Sequence, residues 1–117
     1  MRYLLLIYTP EFDSATVSEE DWQSTTEAYN RFTKECRDRG VMEAGEALQP
    51  TSTATSVRIR DGKTLVTDGP FAETKEALGG FYMLNTKDLD EALELAAMIP
   101  GAAVGSIEVR PIMEFPG

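Results

Sequence analysis

Two helix-start signatures divide this chain more firmly than any other feature. They are Ser18-Glu19-Glu20-Asp21, and Asp88 followed three residues later by Glu91. In each, a short polar side chain stands where the first free backbone N–H groups of a helix need an acceptor, and an acid sits where it can reach back. After the first, Trp22, Tyr29 and Cys36 recur every seven residues with Phe32 between them, so an amphipathic helix is expected to end near Arg39, with Gly40 as its glycine cap. That stripe reads as core packing. After the second, Leu89, Ala92, Leu93, Ala96 and Ala97 share one face, and Pro100-Gly101 closes the helix.

The remainder reads as strands. Tyr3 to Tyr8 is an unbroken apolar run, expected to be a strand buried on both faces, ended by Thr9-Pro10 and followed by a loop from Glu11 to Val17. Val41 to Leu48 is a strand stopped by Gln49-Pro50. Thr51 to Arg60 is another, ending in the alternating Ser56-Val57-Arg58-Ile59-Arg60. Asp61-Gly62 is a hairpin signal, after which Lys63 to Thr67 returns. The turn Asp68-Gly69-Pro70 follows, then a single helical turn expected over Ala72 to Leu78, the strand Phe81 to Asn85, and a last strand from Val104 to Arg110. Strand, helix, strand, hairpin, strand, helix, strand is an α+β order with two helices on one face of a largely antiparallel sheet. At 117 residues this is one domain, residues 1–117, large enough for its own core.

Composition removes whole classes of function. The net charge of −9 argues against nucleic acid as a partner, because a phosphate backbone needs a basic face. No histidine is present, so neither a Ser-His-Asp triad nor a histidine-containing metal site can be built from this chain. No cofactor and no tightly bound metal are expected: a carboxylate-only site at Asp68, Glu73 and Glu76 lacks loop-type ligand spacing. The single cysteine, Cys36, permits no intrachain disulfide and makes the cytoplasm the expected compartment. The opening apolar run is too short for a signal peptide, and no segment is long enough to cross a membrane.

Three segments resemble the DGPF-type members of the YCII-related family of small bacterial proteins. They are Arg2 to Tyr8, Asp61-Gly62-Lys63-Thr64 through Gly80-Phe81-Tyr82, and Gly105 to Pro111. Thr67-Asp68-Gly69-Pro70-Phe71-Ala72-Glu73-Thr74-Lys75-Glu76 is that subgroup's name motif, uninterrupted. The resemblance implies a ferredoxin-like sandwich that forms a homodimer, its sheets closing into a dimeric α+β barrel. It also implies a cleft with a His–Asp pair, for which this sequence offers Asp68 but no histidine, and an association with extracytoplasmic-function sigma factors.

Asp68 is thus the candidate catalytic residue, a general acid or base held on a rigid turn. The competing reading is an aspartate that caps its own turn. Glu73 could present charge to a ligand or lie on a solvated turn, and Arg110, two residues from Glu108, could bind a carboxylate or close an ion pair. Tyr8 and Tyr82, near strand ends, are candidate cavity-lining hydroxyls or packing residues. Cys36, on the apolar helix face, is expected to be an inert buried thiol. Two functions remain. One is a cofactor-independent enzyme using Asp68 on a small-molecule ligand. The other is a non-catalytic ligand-binding or regulatory protein.

Overall fold

The computed structural model describes residues 1–11 and 17–116, so most of the loop expected from Glu11 to Val17 lies outside the described residues. Eight regular elements follow in the order β1 (Arg2–Thr9), α1 (Glu19–Asp38), β2 (Met42–Ala47), β3 (Thr55–Arg60), β4 (Lys63–Asp68), β5 (Ala77–Asn85), α2 (Leu89–Ala97) and β6 (Ser106–Pro111). Both helices begin where their capping signatures stand: Ser18 Oγ accepts from the Asp21 N–H at 3.0 Å, and Asp88 Oδ1 from the Glu91 N–H at 2.9 Å.

Strands β2, β5, β1 and β6 form one antiparallel sheet in that order, while β3 and β4 pair only with each other. Without the hairpin the topology is the ferredoxin-like βαββαβ unit, and the hairpin is an insertion between its second and third strands. Registers place Tyr3, Leu5 and Ile7 of β1 with Leu84 of β5 on the helix side, where they are buried with Phe32, Cys36, Ala92, Leu95, Ala96 and Ile99. At the far end of the helix layer, Arg39 joins α1 to α2. Its guanidinium lies 2.8 Å from Glu35, 3.4 Å from Glu91 and 2.9 Å from Glu94.

Five expectations need correction. Thr51 to Arg60 is not a single strand: Thr51–Thr53 forms a 3-10 turn and β3 begins at Thr55. β1 is buried on one face only: Leu4 and Leu6, with their neighbours Met83 and Phe81, look out from a half-exposed face that no layer among the described residues covers. The stripe on α1 is core only at Phe32 and Cys36, since Trp22 is 61% exposed. On α2 the buried set is Ala92, Leu95 and Ala96, whereas Leu89 and Leu93 face outward. Ala72 to Leu78 forms no helical turn; its last two residues already belong to β5.

Candidate functional site

A concavity lies between the first half of α1 and the ends of β1, β2 and β5. Gly79 is among its lining residues. β1 and β5 pair as Ile7↔Gly80 and then Tyr8↔Leu78, leaving Gly79 as the extra residue of a β-bulge. A bulge bends its strand and sharpens the local twist, and the strand ends beside it border a cavity of about 610 Å³. Trp22, Thr26 and Tyr29 of α1 form one wall, with Leu48, Leu78 and Tyr82 opposite.

The Tyr82 ring is held from two sides. Phe32 meets it edge-on, with centroids 4.7 Å apart and planes at 64°. Across the strand pair it lies over Gly45, where a Cβ would come within 2.6 Å of Tyr82 Cδ1, so only glycine leaves room for the ring. Burial raises the pKa of Tyr29 and Tyr82 above the ordinary phenol value, opposed by the Gly101 backbone at Tyr29 and by Thr33 at Tyr82. Both hydroxyls therefore stay protonated at neutral pH, able to donate to a ligand acceptor. Charge is confined to Glu46 and Glu11 among the described lining residues, and Glu11 accepts the Thr51 N–H at 3.3 Å. Such a chamber suits a small, largely apolar ligand with an acceptor group.

Of the residues singled out in the sequence, the structure brings Tyr82 alone to this cavity. Tyr8 is half-exposed at the end of β1, opposite Ser106. Glu73 is exposed between β4 and β5. Arg110 is bound to its neighbour on the strand, with Nε donating to Glu108 Oε2 at 2.8 Å, which is the ion-pair alternative. Asp68 ends β4, exposed and outside the cavity, opposite Thr55. Its turn is nonetheless well fixed. Gly69 adopts φ +98°, a conformation open to glycine, and its N–H donates to Ala54 O at 2.7 Å while its carbonyl accepts from Ser56 Oγ at 2.8 Å. Sequence reasoning missed Trp22 and Tyr29 by assigning them to the core. The available signal was Thr25 and Thr26 between them, hydroxyls on a stripe otherwise apolar.

Cys36 is fully buried, and desolvation pushes its thiol up to about 11, so it stays protonated and unreactive near neutrality. Among the described residues no three carboxylate or thiol side chains converge to hold a metal ion, and no helix is long and apolar enough to cross a membrane.

Comparison with known proteins adds two findings. The family model of the YCII-related domain matches residues 1–116. An uncharacterized protein of Rhizobium meliloti (strain 1021) is 37% identical over 114 residues, covering 96% of this chain and 92% of the relative.

Proposed function

Because this chain belongs to the YCII-related family, we propose its function from the site rather than from a named relative: it binds a small, largely apolar, aromatic molecule between α1 and the sheet. The observation that carries this reading is the 610 Å³ chamber walled by Trp22, Tyr29 and Tyr82, within the range of about 300–1,000 Å³ usual for ligand sites. Apolar contact supplies affinity, and the two protonated tyrosine hydroxyls supply orientation.

Trp22 is the chain's single tryptophan and lines the cavity, so its emission reports on occupancy. Titration with the neutral aromatic probe N-phenyl-naphthylamine is expected to quench Trp22 saturably and to raise the thermal midpoint, with Tyr82→Ala abolishing both responses. An unchanged Trp22 emission in the folded wild-type protein refutes the site.

The uninterrupted segment Thr67–Glu76 supports placing the chain in the DGPF subgroup. A homodimer is supported by the open sheet face, where Leu4, Leu6, Phe81 and Met83 have no covering layer among the described residues. The dimer keeps a second reading alive, in which Asp68 is the acid or base of an enzyme. Thr55 and Asp68, Val57 and Val66, and Ile59 and Thr64 are directly opposed pairs on one face of the β3–β4 hairpin. A partner that covers those apolar side chains also takes Asp68 out of water. Asp68→Asn should then abolish turnover of a bound substrate while leaving its affinity in place; unchanged turnover excludes Asp68 from catalysis.

A further inference from the structure

The β3–β4 hairpin leaves the body of the protein and, among the described residues, packs extensively on no other element. Its strands pair with each other, and its ties to the rest are at the base: the Gly69 N–H donates to Ala54 O, and Arg58 Nη2 donates to Phe71 O at 3.1 Å. The Asp61-Gly62 turn, with φ of 53° and 75°, has the positive dihedrals that match a hairpin's natural twist. A lone two-stranded hairpin is marginal in water, and stability asks for a further strand or a packing surface. The alternation of the strands shows which surface is waiting. One face carries Val57, Ile59 and Val66, exposed by 63%, 66% and 64%. The other carries Arg58, Arg60 and Lys63 beside Leu65.

Two magnitudes say how much surface is uncovered. The Cα radius of gyration is 16.5 Å, against about 13 Å for a compact chain of this length. The accessible surface is 8509 Å², whereas a folded monomer of 12.9 kDa exposes about 6,300 Å², an excess of about 2,200 Å². Doubled over two protomers, the excess falls within the roughly 2,000–5,000 Å² of obligate homodimers.

We propose that the β3–β4 hairpin is an arm that buries its Val57–Ile59–Val66 face on a second copy of this chain, each copy embracing the other. The proposal rests on the homodimer reading and deepens it by naming the element that holds the pair together. Area favours a second copy as the occupant, because the doubled excess matches what two protomers of an obligate homodimer bury. Closed twofold symmetry satisfies both arms at once and leaves no free arm to propagate a fibre.

Sedimentation velocity tests this with wild-type protein, the triple variant Val57→Asp/Ile59→Asp/Val66→Asp, and the open-face variant Leu6→Lys. The wild type should sediment as a dimer. The arm variant should dissociate with a constant raised roughly 100-fold or more, its far-ultraviolet circular dichroism retained because the three side chains touch little within one chain. Hydrogen exchange gives a second readout: hairpin amides of the wild type should gain protection as protein concentration rises, while those of β1 and β5 stay constant. A wild-type monomer overturns the homodimer reading and the arm with it. A dimer that Leu6→Lys breaks and the arm variant leaves intact overturns the arm alone.

Discussion

Replacing Gly45 with alanine probes the wall of the cavity through a single methyl group. Built on the Gly45 backbone, that methyl would lie 2.6 Å from Tyr82 Cδ1 and 2.9 Å from Cε1, closer than carbon atoms can approach. The ring cannot simply swing away, because Phe32 is seated against it at 4.7 Å between centroids. Overpacking of this kind costs about 1–3 kcal/mol. Against it stands a gain of roughly 0.5–1 kcal/mol, since alanine is the better strand residue and loses less freedom on folding. The two terms separate in a double-mutant cycle. In a Tyr82→Ala background the clash is gone, so Gly45→Ala should stabilise; in the wild-type background it should destabilise. The coupling between the positions should be about 1–3 kcal/mol. An unfolding entropy of about 2.1 cal/mol/K per residue gives roughly 0.25 kcal/mol/K over the chain, so that coupling reads as about 4–12 °C in thermal midpoint. Thermal unfolding followed by circular dichroism, with all four proteins at one concentration, measures it. Additive shifts would refute the claim that Tyr82 is held over Gly45.

Two further outcomes follow from features away from the cavity. Asp88→Ala removes the N-cap of α2 and should cost about 1 kcal/mol, roughly 4 °C in midpoint; an unchanged midpoint contradicts the cap. Cys36 should resist thiol reagents at pH 8 in the native protein and react readily once unfolded. Because its folded value is raised to about 11, from about 8.5 unfolded, its contribution is complete below the unfolded value and lost as pH climbs through the folded one. Cys36→Ala should therefore flatten stability between about pH 8.5 and 11, and an equally steep decline in the variant would contradict this.

The sequence disclosed element order well because that order rests on local chemistry. Capping at Ser18 and Asp88 and the Asp61-Gly62 turn are decided within three or four residues, and each stands where its residues indicate. Burial was less legible because it depends on what lies opposite. The unbroken run Tyr3 to Tyr8 is as apolar on its uncovered face as on its core face. Trp22 shares a helical stripe with Phe32 and Cys36, yet the stripe crosses from packed sheet to open cavity around Tyr29. Periodicity gives a side chain its direction, not the distance to the next layer. Asp68 shows the same gap at the site: its turn could be read from Gly69 and Pro70, but its place on an outlying hairpin follows from β3 and β4 pairing only with each other.

The cluster at Arg39 gives α1 a fulcrum. Glu35, Glu91 and Glu94 grip the guanidinium at the C-terminal end of the helix, and Trp22 stands over the cavity at the other. At 1.5 Å per residue the arm of this lever is about 25 Å long. A tilt of about 5° about Arg39 therefore swings Trp22 through about 2 Å, while Phe32, some 10 Å from the pivot, moves less than about 1 Å. A ligand wide enough to tilt the helix about that end would therefore leave the close-packed layer beneath Phe32 and Cys36 nearly still.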